Sequence, residues 1–130
     1  MADTVTTNVI FSGKRRYVAQ FSNYSDGTGE TAVKKVDAST LVGPDGSAPT
    51  SFRIEGAEWS VKGGSVTVLF DATTDDEALI LSGAGFKDYS GVAGIKDPKT
   101  TGSTGDIMFT TNDFAAGSTY DITLSLILKD

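Results

Sequence analysis

This sequence predicts an all-β fold, a single-domain antiparallel β-sandwich or jelly roll of about eight short strands with one long Gly-rich loop. Three observations predict it. Apolar and polar residues alternate with period two in several segments, clusters of Gly, Asp, Asn and Ser separate those segments, and helical periodicity is nearly absent. A chain of 130 residues is expected to form one domain, spanning 1–130.

Residues 4 to 12 alternate, with Val5, Thr7, Val9 and Phe11 on one face and Thr6, Asn8, Ile10 and Ser12 on the other, which predicts a strand. Gly13-Lys14 offers a turn, and residues 15 to 25 alternate again, so the two segments read as a hairpin. In Asp26-Gly27-Thr28-Gly29 two glycines beside a short carboxylate are turn chemistry, and a short strand is expected around 31 to 36. Residues 42 to 50 hold two of the three prolines and predict a surface loop. Phe52 and Ile54 point one way; Ala57, Trp59 and Val61 share that face only if one residue is skipped, which predicts a β-bulge near Gly56. Gly63-Gly64 predicts a turn, followed by a strand carrying Val66, Val68 and Phe70.

Residues 71 to 81 hold the one helical hint, Thr74 as a cap with Glu77 three residues on, although a strand over Ala78 to Leu81 fits equally. Residues 82 to 105, rich in Gly and Ser, predict a long loop anchored by Phe86, Tyr89, Val92 and Ile95. Ile107 and Phe109 mark a strand, and 112 to 118 a turn region. Tyr120, Ile122, Leu124, Leu126 and Leu128 form the most regular alternation of all, which predicts a central strand. The expected core is Val9, Phe11, Phe21, Trp59, Val68, Phe70, Phe109, Ile122, Leu124 and Leu126. Burying each such side chain contributes about 1.5–3 kcal/mol relative to exposure.

Composition narrows the chemistry. With no Cys and no His the chain supplies no thiol nucleophile, imidazole base, disulfide or Cys/His metal ligand. Serine and threonine are plentiful, but no S-x-x-K motif offers an activating base, and Gly83-Ala84-Gly85 lacks the lysine and helix of a phosphate cradle. Asp71, Asp75, Asp76 and Glu77 lack the order of an EF-hand loop and read as a solvated turn, and no carboxylate pair stands out for glycoside hydrolysis. The expectation is a protein that is not an enzyme and uses no cofactor.

A net charge of −6 repels phosphate backbones and anionic membranes, so neither nucleic acid nor membrane is expected as a partner. No segment approaches the roughly 18 apolar residues of a membrane span, and Met1-Ala2-Asp3-Thr4 lacks the character of a signal peptide. Lys14-Arg15-Arg16 and Lys34-Lys35 are the two basic clusters, read either as solvated turn charges or as a local positive patch. Asn23-Tyr24-Ser25 has the form of a glycosylation sequon and is read as chance. Association through an exposed strand edge, with residues 2 to 11 as the pairing segment, is a further mode open to an all-β chain.

The opening Met1-Ala-Asp-Thr-Val-Thr-Thr-Asn-Val-Ile-Phe11, the phrase Asn23-Tyr-Ser-Asp-Gly-Thr-Gly-Glu30, the segment Phe70 to Leu81, Thr104-Gly-Asp-Ile-Met-Phe-Thr-Thr111 and Tyr120-Asp-Ile-Thr-Leu-Ser-Leu126 together resemble small virion proteins of tailed bacteriophages, particularly phages of aquatic bacteria. The resemblance implies a capsid decoration or cement protein, made in the host cytoplasm and seated on the virion's capsid surface. Its partner would be the major capsid protein, with self-association as a dimer or trimer. A tail or neck component, and a carbohydrate-binding or adhesin module using Tyr24, Phe86 or Tyr89, are the alternatives. The residues expected to touch a partner are Lys14, Arg15, Arg16, Phe86 and Tyr89.

Overall fold

A computed structural model describes residues 3–89 and 94–129. The described residues form β1 (Thr4–Ser12), β2 (Arg16–Asp26), β3 (Val33–Val36), β4 (Ser51–Phe70), β5 (Asp76–Asp88), β6 (Ile95–Lys96), β7 (Ile107–Asn112) and β8 (Ala116–Lys129), with one 3-10 turn at Ala38–Thr40. All pairings are antiparallel, in one eight-stranded sheet of order β1-β2-β8-β4-β7-β3, with β5 and β6 also paired to β4. No helix among the described residues is long and apolar enough to cross a membrane.

The sheet curls because β4 belongs to two layers. Its residues Gly56–Val61 pair with β8 and β5 at once, whereas Ser65–Phe70 pair with β7 and β5. Between them sits Gly63-Gly64, which is a corner inside a strand and not the chain reversal its composition suggests. Gly63 has φ +92°, and a Cβ there would lie 2.4 Å from the Ser118 hydroxyl; at Gly64 it would lie 2.3 Å from the Asn112 carbonyl oxygen. Only glycine admits both the backbone angle and the close approach of β8 and β7.

The curl brings β7 over β2 and β8. Phe109 meets Phe21 edge-on at 5.3 Å between ring centroids and Tyr120 at 5.7 Å, the geometry aromatic quadrupoles favour. Around them Ala19, Ile54, Val66, Val68, Phe70, Leu81, Ile122, Leu124 and Leu126 are buried in one core cluster. The bulge lies where parity places it: the β4–β8 register shifts between Ile54 and Gly56, so Ile54 and Ala57 are both buried.

Several expectations are corrected. Val9 and Phe11 are 54% and 53% exposed, because β1 is an edge strand with nothing among the described residues stacked over it. A register shift between Val9 and Phe11 also sets Phe11 opposite Val18, off the face of Val5, Thr7 and Val9. Trp59 is half-buried against the core rim, its indole N–H donating to the Ser82 carbonyl at 3.0 Å. The helical hint at Thr74 fails: β5 begins at Asp76 and runs through Ala78–Leu81. That strand also continues to Asp88 against β4, so residues 82–88 are strand where a loop is expected, as are Ile95–Lys96 of β6, and β4 and β5 are long, at 20 and 13 residues. Of its expected anchors, Val92 lies outside the described residues.

Phe109→Ala is expected to cost about 3–5 kcal/mol, since it opens a cavity between two rings. Ile80→Ala, at a 60% exposed position of β5, is expected to stay within about 0.5 kcal/mol. Urea unfolding of the two variants measures the contrast.

Candidate functional site

The face of the sheet turned away from the core is a polar surface in register. Asn8, Gln20, Thr123, Glu58 and Phe86 form one row across β1, β2, β8, β4 and β5. Four inter-strand spacings make that row about 19 Å long. The neighbouring row is Thr6, Ser22, Asp121, Ser60 and Ala84. Asn8 Nδ2 donates to Gln20 Oε1 at 3.3 Å within the first row, and Gln20 Nε2 donates to Asp121 Oδ1 at 2.9 Å, linking it to the second. Phe86 closes one end of its row and is 74% exposed, the most open large apolar side chain described.

Beside Phe86 the surface sinks into an open hollow of about 360 Å³ between Arg16, Glu55, Glu58, Lys87, Thr123 and Ser125. The bulge in β4 creates its floor. Glu55, the residue the register skips, is only 7% exposed there, and its carboxylate is matched by the Arg16 guanidinium and by the Ser125 hydroxyl at 3.1 Å. The result is a shallow polar basin with one charged pair at its base and an aromatic ring on its rim.

Of the residues expected to meet a partner, Arg16 and Phe86 come together in this hollow. Tyr89 stands next to it but not in its lining, half-buried, with its backbone N–H donating to the Glu55 carbonyl at 2.7 Å. Lys14 and Arg15 are not in that lining: they sit at the exposed tip of the β1–β2 hairpin, around a second open depression of about 440 Å³ shared with Phe11, Gly13 and Arg16. Tyr24 is 63% exposed on β2, away from the hollow. Sequence reasoning missed Glu55, Glu58, Gln20, Thr123 and Ser125. The outward parity of residues 16–22 and 119–127 carried a signal for Gln20, Thr123 and Ser125, and Glu58 alternates with the inward Ala57; Glu55 is the bulged residue, whose place parity does not give.

The second basic cluster makes no patch. Lys34 Nζ is paired with Asp106 at 2.9 Å, and that hydrogen bond holds the Lys34 pKa above its ordinary value. A bulge in β3 turns Lys35 inward, where its ammonium meets Glu30 Oε2 at 2.6 Å with both side chains 6% exposed. Glu30 Oε1 also accepts from the Tyr120 hydroxyl at 2.5 Å and from Asn23 Nδ2 at 3.1 Å. Burial first, then the Glu30 carboxylate, pushes the Tyr120 pKa far up, so it remains a donor. Asn23 of the sequon is 4% exposed and committed to this knot, closed to a glycosyl group.

Asp3 ties the start of the chain to the same knot, accepting from Asn23, Ser25 and the backbone N–H groups of Asp26 and Gly29, each at 3.1 Å. Desolvation raises its pKa more than any single donor lowers it, yet the four donors together hold it below the ordinary 3.8. Among the described residues no group of three or more Asp or Glu stands where it could hold a metal ion. The acidic run is used piecemeal: Asp71, Asp75 and Asp76 each accept a separate bond, from Thr104, the Ala72 backbone and Thr100.

No family model and no curated protein matches the chain, so the resemblance to phage virion proteins stands on the quoted phrases alone. Among solved structures, the chain is similar to a cupin superfamily protein from Desulfitobacterium hafniense, with 12% identity over 100% of this chain and 82% of that one, at a TM-score of 0.39. It is also similar to a family 29 carbohydrate-binding module, with 12% identity over 95% of this chain and 88% of that one, again at 0.39. TM-scores this low carry neither family nor function across, so the residues of this chain alone bear the functional reading.

Because the Asp3 carboxyl titrates lower when folded than unfolded, its stabilisation is fully present above about pH 4 and is lost as pH falls through the folded value. Asp3→Ala is therefore expected to lower the melting temperature at pH 7, with the gap to wild type closing towards pH 2. Thermal melts across that range test it.

Proposed function

We propose that this chain is a non-catalytic binding domain that holds carbohydrate on the outer face of β2, β8, β4 and β5. The observation that carries the reading is the row Gln20, Thr123, Glu58, Phe86 beside the open hollow. A sugar ring offers hydroxyls around its rim and C–H groups on its faces. Amide, hydroxyl and carboxylate side chains satisfy the first by hydrogen bonding, and an exposed aromatic ring packs against the second. Four strands present these groups on rigid backbone, which lowers the ordering cost of binding. No turnover belongs to this reading: Glu55 is engaged by Arg16 and Ser125 at the base of the hollow. Affinity gel electrophoresis against a panel of soluble polysaccharides tests it. Retardation by at least one polysaccharide is expected, falling about tenfold or more in Phe86→Ala, a loss of about 1.4 kcal/mol. Absence of retardation by every polysaccharide, or retardation indifferent to Phe86→Ala, overturns it.

A second reading, capsid decoration on a phage head, is favoured by a different observation. On a chain of net charge −6, the hairpin tip gathers Lys14 and Arg15 beside the 53% exposed Phe11. A cationic and apolar knuckle of this kind suits an acidic shell, with the major capsid protein as partner and the virion surface as location. Repetition of a modest contact over a symmetric shell supplies the avidity. Lys14→Glu with Arg15→Glu is expected to abolish co-sedimentation with heads lacking the protein; Arg16 is spared because it neutralises Glu55. Retention of head binding by that double variant returns the tip to solvated turn charge.

A further inference from the structure

We propose that two copies of this chain pair antiparallel through the free edges of β1, about a two-fold axis at Thr7. Among the described residues strand β1 is bonded along one edge only, to β2, and all nine of its residues are exposed. Its other edge presents the backbone N–H and C=O groups of every second residue without a strand to receive them. Edges that must stay single are kept short or charged. At the opposite end of the sheet path β3 is both: it has four residues, two of which are Lys34 and Lys35. The β1 sequence Thr-Val-Thr-Thr-Asn-Val-Ile-Phe-Ser contains no charged residue at all.

That composition selects the occupant. Two copies of a chain carrying −6 repel wherever their carboxylates face each other, and an uncharged nine-residue edge is where they can meet without that opposition. An antiparallel pair about a two-fold is self-complementary, the arrangement closed homodimers require. With the axis at Thr7, Val5 of each copy lies opposite Val9 of the other, and Thr6 opposite Asn8. Both valines fall within the regular register, before the shift at Ile10, and are 48% and 54% exposed in the single chain. Cross-strand β-branched pairs of this kind stabilise antiparallel sheets. Since directly opposed residues share a face, the two outer surfaces would join on one side, placing both Phe86 rings on a single continuous sheet. The pairing itself is independent of what that surface binds.

Light scattering coupled to size exclusion tests the proposal. The wild type is expected to run at twice the chain mass. Val5→Glu with Val9→Glu, both at exposed positions, is expected to run as a monomer with an unchanged circular dichroism spectrum. Because the chain has no cysteine, Thr7→Cys supplies one thiol per copy and is expected to form an interchain disulfide on oxidation, since paired strands bring the two Cα atoms within bonding range. A wild type that stays monomeric up to concentrations on the order of 100 μM overturns the proposal and leaves the edge to a strand of another protein. A dimer that survives the double glutamate variant overturns it too, by placing the interface elsewhere. A glutamate-sensitive dimer in which Thr7→Cys does not cross-link overturns the axis at Thr7.

Discussion

Strand β4 has to serve two layers, and the structure depends on the corner that lets it. For its first twelve residues it lies beside β8; past Gly63-Gly64 its neighbour on that edge is β7, while β5 follows it round the bend. Without the corner β7 would extend the sheet sideways, and Phe109 would not close over Phe21 and Tyr120. The side chains of Ser118 and Phe114 and the carbonyl of Asn112 fill the space a Cβ would need at the two glycines, so the bend and the packing of the β7–β8 connection are one feature.

Inside that corner the chain buries charge. The Lys35–Glu30 pair, with the Tyr120 hydroxyl and the Asn23 amide, joins β2, β3 and β8. Ions taken out of water lose several kcal/mol of hydration each, which pairing and hydrogen bonds offset only if every partner is present. Removing one partner of such a pair costs about 3–5 kcal/mol, because the other is left buried and alone. The Lys35 ammonium also lies 5.9 Å from the centroids of Phe109 and Tyr120, so the charged knot and the aromatic core share a boundary. Asp3 extends the knot to the chain's start, tethering β1 at one end while its outer edge stays open.

The open edge and the polar outer face follow from the same layering. Phe109 of β7 packs on Phe21 of β2 and Tyr120 of β8, whereas every residue of β1 is exposed. The outer face, having no layer above it, accommodates Gln20, Asp121, Thr123 and Glu58 at no desolvation cost. Such a surface offers shape and hydrogen-bonding groups over its breadth, in contrast to an enclosed pocket.

Much of this was legible in the residues. Alternation in 15–25 and 120–128, the bulge near Gly56 and the core positions Phe21, Phe70, Phe109 and Leu124 follow from period-two sterics, a local property of the chain. The absence of Cys and His is likewise absolute chemistry. Alternation reports only that a strand has two unlike faces. Whether the apolar face is covered depends on which distant strand lies opposite, and so Val9 and Phe11 look like core residues but are exposed. For the same reason Gly63-Gly64 reads as a reversal when it is a corner, and Phe86 reads as a loop anchor when it is the rim of a sheet. Arg16 and Phe86, 70 positions apart in sequence, are brought to one hollow only because β2, β8, β4 and β5 pair in that order, a matter of long-range hydrogen bonding that no local pattern encodes.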